Sequence, residues 1–362
     1  MVVAACGRLD FAPISDGGVS PIDGMTIDGA TDRPNRAFVT PNMYTAMLGG
    51  LGGADTTCGQ VAAAAGLPGE FVALLSTSSV NAVDRLAGSR GWIRSDGAPI
   101  ADVPGDLFIN GRMLNPLDHV ADGTRLSDGA GLNTWTGADD NGFFDPVFGS
   151  CGDWDSLAGS GAIGLFDRSA PYEIATSGGQ PCASPGHLYC FEIGHAFAVQ
   201  TTVANGRIAF LGTATGSIGV AALNAQCQTD ATMAGLAGTY LAAVATTTSS
   251  IASSFMPGAP WRRVDGTQVS ASDTAMFDGT DLVSFINQAA DGTYLAGQFT
   301  PNTKTGATSG TAVGTSQSTC ADWTSTTGLG AGGSPIDTSS GSFWGGTSAD
   351  CSLTYPTVCL EQ

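Results

Sequence analysis

The chain reads Cys151-Gly152-Asp153-Trp154 near its middle and Cys320-Ala321-Asp322-Trp323 near its end, the same stretch repeated after 169 positions. Working outward from it, the other cysteines keep the same offset. Cys58 precedes Cys151 by 93 positions, as Cys227 precedes Cys320. Cys182 follows Cys151 by 31, as Cys351 follows Cys320, and Cys190 and Cys359 each lie 8 further on. Ala65-Gly66-Leu67 returns as Ala234-Gly235-Leu236, Trp92 as Trp261, and Phe108 as Phe277. Ala121-Asp122-Gly123-Thr124 returns as Ala290-Asp291-Gly292-Thr293, and Glu192 as Glu361. Chance does not produce such a set. Solenoid repeats have periods of about 20–50 residues, so this longer period means two whole domains. Ahead of the first cysteine the copies slip: Ala37-Phe38 is expected to match Ala209-Phe210, three residues off the common offset.

The boundaries follow from the repeat. Residues 36–195 are expected to form domain one and residues 206–362 domain two, joined by a short connection. Residues 1–35 read as a truncated signal followed by a flexible tether rich in Asp, Gly and Pro. Within that segment, Val3-Ala4-Ala5-Cys6-Gly7 resembles the lipobox of bacterial lipoproteins, and Cys6 is the ninth cysteine, left over from two sets of four. A lipid anchor on Cys6 is therefore expected; a chance cysteine is the alternative.

Composition narrows the partners. The 362 residues carry 32 acidic and 13 basic side chains, a formal charge of −19, and Lys304 is the single lysine. Such a surface repels nucleic acid, heparin and anionic lipid. Charged residues make up only 12% of the chain, and Gly, Ala, Ser and Thr abound, so loops, turns and short strands are expected more than long charged helices. There is no apolar run long enough for a membrane-spanning helix.

Four cysteines per copy, at fixed spacing, argue for disulfides and an oxidising compartment. Structural zinc sites use closely spaced pairs such as C-x-x-C, which neither copy has. One good helix is expected per copy. Gly53 to Ala65 places Ala54, Cys58, Val61, Ala62 and Ala65 on one face and stops at Gly66; its partner runs from Val220 to Ala234 and stops at Gly235. A second helix is expected at Val80 to Ala87, with Ser249 to Met256 as its weaker equivalent.

A cysteine on the first helix, two later cysteines about 30 apart, and a last one in the closing strand: this order resembles the C-type-lectin-like fold. Within that group it is most similar to the endostatin-like and bacterial lipoprotein branch. The residues that carry the likeness are Ala37-Phe38-Val39-Thr40, Ala65-Gly66-Leu67-Pro68-Gly69, Trp135-Thr136-Gly137, Cys151-Gly152-Asp153-Trp154 and Leu188-Tyr189-Cys190-Phe191-Glu192. The resemblance implies an α+β fold of two tandem domains, each with two short helices and mostly antiparallel strands. It also implies the pairing Cys58–Cys190 and Cys151–Cys182, then Cys227–Cys359 and Cys320–Cys351. Spacing alone leaves three connectivities open in each domain. The Glu-Pro-Asn, Gln-Pro-Asp and Trp-Asn-Asp triplets of calcium-dependent sugar-binding members occur in neither copy.

Asp139-Asp140-Asn141-Gly142, with Asp145 nearby, is the candidate cation loop, because calcium takes six to eight oxygen ligands. A solvated turn is the plainer reading of those residue types. The second copy has Ala307-Thr308-Ser309-Gly310 there, so a calcium loop, if there is one, is expected in the first domain only, and no other cofactor is expected. Trp135 stands beside the loop and is matched by Lys304; it is expected either to stack on a ligand, together with Asp139, Asp140 and Asn141, or to pack in the core. Trp92, Trp154, Trp261 and Trp323 are expected in the core. His119, His187 and His195 are expected to be ordinary loop residues, since no nucleophile elbow, H-E-x-x-H or P-loop accompanies them. No enzyme is expected. The expected function is a cell-surface or extracellular binding or adhesion lipoprotein whose ligand is a glycan or a protein. A self-assembling structural component of the cell envelope or extracellular matrix is the alternative.

The chain-entropy model gives about 5 kcal/mol for the longer implied disulfide loop and about 4 for the shorter. Either rivals the net stability of a small domain, about 5–15 kcal/mol. Reduction is therefore expected to unfold both copies, read as loss of the near-ultraviolet circular dichroism signal.

Overall fold

The closing strand of each copy lies against the opening one, and that pairing organises the rest. The computed structural model describes residues 33–126, 131–170, 172–295 and 302–362, which belong to one compact unit. Cys6 and the proposed tether lie outside the described residues. In the first half, β1 (Asn35–Val39) runs antiparallel to β8 (His187–Ile193), with Phe38 opposite Cys190. In the second, β9 (Arg207–Leu211) runs antiparallel to β15 (Val358–Glu361), with Phe210 opposite Cys359. Phe38 and Phe210 thus hold equivalent places, which bears out the three-residue slip. Six successive residues of β8, His187 to Glu192, are buried, the mark of a strand covered on both faces. On its other side β8 takes β2 (Glu70–Ala73), as β15 takes β10 (Tyr240–Ala242).

Most strand pairs are antiparallel, with short parallel pairings added. β3 (Trp92–Ile93) runs parallel to β1, and its counterpart β11 (Trp261–Arg262) runs parallel to β9. β4 (Pro99–Ala101) closes that edge in the first half. Beyond β8, the sheet of the first half continues through β5 (Asn133–Trp135), β6 (Ser160–Leu165) and β7 (Gly178–Pro181). The second half breaks at this point. β12 (Thr303–Lys304), β13 (Leu329–Gly333) and β14 (Thr347–Asp350) form a separate three-stranded sheet. Pro356 stands where the first half has His187, and it has no N–H to offer a neighbouring strand. The bond from Lys304 N to Pro356 O, at 3.1 Å, crosses the gap.

The helix α1 (Gly50–Ala64) buries Ala54, Cys58 and Ala62. Its end is a Schellman motif: Gly66 has φ +72°, Gly66 N bonds Ala63 O, and Leu67 N bonds Ala62 O. Two four-residue segments, α2 (Cys151–Trp154) and α3 (Tyr172–Ala175), follow it in the first half. The helix α4 (Val220–Met233) ends in the same way at Gly235, φ +71°. The second expected helix is not there. Asp84–Leu86 and Ala252–Ser254 are single 3-10 turns, because in each case only a residue or two find the core, Leu86 on one side and Ile251 on the other. α5 (Cys320–Trp323) and α6 (Ser340–Gly345) complete the second half.

The four disulfides are Cys58–Cys190, Cys151–Cys182, Cys227–Cys359 and Cys320–Cys351, the pairing implied by the resemblance. They suit an oxidising environment. No helix among the described residues is long and apolar enough to cross a membrane. Trp92, Trp154, Trp261 and Trp323 are all buried, as expected.

The halves meet along a seam. Ser169 N donates to Ile336 O at 3.0 Å, and Thr338 N donates to Asp167 O at 3.2 Å. Between them Arg168 Nη2 meets Asp337 Oδ2 at 2.9 Å. Asn287 Nδ2 reaches Ser169 Oγ at 3.0 Å and Met113 O at 3.2 Å, and Phe285 packs into the hydrophobic core of the first half.

α2 and α5 are left-handed turns. Among the described residues the seven non-glycine positions with positive φ all fall here: Cys151, Asp153 and Trp154, then Cys320, Ala321, Asp322 and Trp323. Left-handed backbone costs an L-residue about 1–2 kcal/mol. Local bonds hold it in place. Asp153 accepts from Ser78 N and Ser78 Oγ at 2.8 and 2.7 Å, and Trp154 Nε1 donates to Ser76 O at 2.8 Å. Asp322 accepts from Thr247 N and Oγ1 at 2.7 and 2.9 Å, and Trp323 Nε1 donates to Ala245 O at 3.0 Å. The repeat that decides the fold is thus a strained turn fixed by a disulfide, a carboxylate and an indole. Gly152, free of that strain, is matched by Ala321. Ala321→Gly is expected to stabilise the protein by about 1 kcal/mol and Gly152→Ala to destabilise it by a similar amount, read from urea midpoints.

Candidate functional site

The acidic loop of the first half is built by its own carboxylates. Asp139 Oδ1 accepts from Asn141 N and Phe143 N, both at 2.9 Å. Asp145 Oδ1 accepts from Val147 N at 2.7 Å and Phe148 N at 3.1 Å. Turn formation therefore occupies two of the expected cation ligands. Asp140 differs: its Oδ1 is buried without a hydrogen-bond partner. Burial, and the charges of Asp139 and Asp145, push its carboxyl up to about 6. Among the described residues no three His, Cys, Asp or Glu side chains are grouped to hold a metal ion.

Trp135 is not part of that surface. It is fully buried, edge-on to Trp154, and its Nε1 donates to Tyr44 O at 2.8 Å. It packs in the core and offers no face to a ligand. Lys304 does the same task with a different group. Its buried Nζ donates to the carbonyls of Thr215 and Gly216, the second at 2.6 Å, and to Thr215 Oγ1 at 3.1 Å. Burial pushes this ammonium down to about 8. An indole N–H and an ammonium thus cap the same loop in the two halves.

The histidines sit in unlike places. His119 Nδ1 lies 2.7 Å from Asp118 Oδ1, a carboxylate also bonded by Arg94 and Arg125. His195 Nε2 lies 3.6 Å from Glu192 Oε1. His187 is a correction to the loop expectation: it is buried on β8, with Nδ1 2.6 Å from Thr40 O and its ring edge-on to Phe166.

What the two halves share on the surface is a groove. In the first half it has a volume of about 420 Å³ and runs between the C-terminal part of α1 and the turn Ala121-Asp122-Gly123-Thr124. In the second it has about 820 Å³ and runs between α4 and Ala290-Asp291-Gly292-Thr293. Six wall positions correspond: Val61 with Asp230, Ala64 with Met233, Ala65 with Ala234, Val120 with Ala289, Ala121 with Ala290, Asp122 with Asp291. Each aspartate is exposed on its turn, and its Oδ1 accepts from the threonine two residues on at 2.9 Å. That amide bond holds both carboxyls below the usual range, so both are anionic.

Each groove also has a half-buried tyrosine, supplied from opposite strands. Tyr44 bridges Gly186 in the first half, and at the equivalent bridge Thr215 faces Tyr355. Residue-by-residue comparison reads this exchange as divergence, so only the repeated Ala-Asp-Gly-Thr marks the site in the sequence. No family model matches the chain, nor does any curated protein.

The raised Asp140 gives a pH prediction. The folded state binds this proton more tightly than the unfolded chain does, so ionised Asp140 opposes folding at neutral pH. That opposition fades as pH falls through about 6 toward the ordinary carboxylate range. Asp140→Asn is expected to melt above the parent at pH 7, with the gap closing toward pH 4. Coincident melting curves at pH 7 would count against the buried position of this carboxyl.

Proposed function

We propose that this chain is an extracellular binding protein whose two halves are C-type-lectin-like domains and whose ligand, a glycan or a protein, seats in the twin grooves. The observation that carries the reading is one groove built from the same elements in both halves. Divergent loops on a common scaffold are where recognition usually resides. Several features support the fold assignment. Opening and closing strands lie side by side, the first cysteine joins the last, and the second joins the third. A lipid on Cys6 would hold the domains at a cell surface on the residues that precede them. Calcium at the Asp139–Asp145 loop belongs to the same proposal, with an upward melting shift in excess calcium as its sign.

Binding is proposed over catalysis because no nucleophile elbow, H-E-x-x-H or P-loop accompanies the histidines. Self-assembly is the second reading, favoured by the strongly exposed Met233 and Val147. Sedimentation over a range of concentrations separates it from a monomeric binding protein.

The groove is tested by filling it. Ala64→Trp and Thr354→Trp change exposed wall positions and should leave the melting temperature nearly unchanged. Screened on arrays of glycans and of extracellular proteins, the parent is expected to find a ligand that the double variant binds at least about tenfold more weakly. Ligands bound equally by both proteins would remove the grooves from the proposal.

A further inference from the structure

Both grooves are acidic, and among the described residues neither is lined by a Lys or Arg. Asp122 and Asp291 are the shared charges; Asp230 adds one to the second groove, where its carboxylate accepts from Thr213 N at 2.7 Å. With a formal charge of −19, the rest of the chain adds to that field. Anionic ligands are repelled and cationic ones are drawn in. The walls are small, with Ala64, Ala65 and Ala121 in the first groove and Ala234, Ala289 and Ala290 in the second, so an extended main chain can lie close against them. Tyrosine stands in both and an exposed methionine, Met233, in one; both residue types are enriched where proteins bind proteins. All six tryptophans are buried, which leaves no indole face for stacking on a sugar.

We propose that the twin grooves are docking sites for a basic polypeptide segment, whose lysine or arginine side chains pair with Asp122 in one groove and Asp291 in the other. This rests on the reading of the chain as a binding protein and names the partner class. The turns fix both aspartates in place, each accepting from the amide of the threonine two residues on.

The test is fluorescence anisotropy at physiological salt, using the full chain and three dye-labelled peptides, of alternating Lys-Ser, Glu-Ser and Asn-Ser. The variant pair is Asp122→Asn with Asp291→Asn; asparagine supports the same turn, so folding is preserved. The control pair, Asp84→Asn with Asp278→Asn, removes the same charge from exposed positions outside both grooves. The Lys-Ser peptide is expected to bind, and the groove pair to weaken it by about fivefold while the control pair changes it by less than about twofold. Equal weakening by both pairs would show general attraction to an acidic surface and overturn the inference. So would the absence of Lys-Ser binding. In that case a neutral glycan displaced by Ala64→Trp and Thr354→Trp would leave the binding reading standing, and no groove-dependent ligand at all would take both down.

Discussion

Everything described depends on where the first helix of each half is pinned. Cys58 and Cys227 tie α1 and α4 to β8 and β15, the strands around which each half is ordered. Those strands hold the opening strand on one side and the β2 or β10 strand on the other. The same helices form one wall of each groove. A covalent bond between a helix and the closing strand therefore sets the width of the site, and removing it would disturb core and groove together.

Much of this was legible in the cysteines. Their common offset gave the repetition, and the first helix could be placed because Cys58, Ala62 and Gly66 mark its buried face and its stop. The second expected helix failed because Val80–Ala87 has apolar residues but buries only some of them: Ala82 and Leu86 reach the core while Val80 stays exposed. A pattern of residue types cannot show which of them will find a neighbour.

The candidate site was harder to read, for two physical reasons. Trp135 stood beside an acidic loop in the sequence, yet its indole turns inward to cap Tyr44 O, and that bond is invisible without tertiary structure. The tyrosines of the grooves were hidden differently. A bridge between two strands can keep an aromatic ring at its place while the residue moves from one strand to the other, so Tyr44 and Tyr355 share a role without sharing an alignment column. The reverse holds for Lys304 and Trp135, which share a column and a hydrogen-bonding task but no chemistry.

The seam between the halves has a consequence of a different kind. Arg168 and Asp337 are 169 positions apart and face each other, and Ser169 and Thr338 exchange reciprocal bonds with Ile336 and Asp167 on either side. Each half thus meets the other through the same surface, the arrangement of a two-fold dimer. In a dimer of identical subunits a position on the axis meets itself, and a charge there would be repelled by its own copy. Fusion into one chain lifts that restriction, because the two sides can then carry opposite signs. Two first halves brought together would set arginine against arginine, and two second halves aspartate against aspartate, so the seam recognises only the unlike pair.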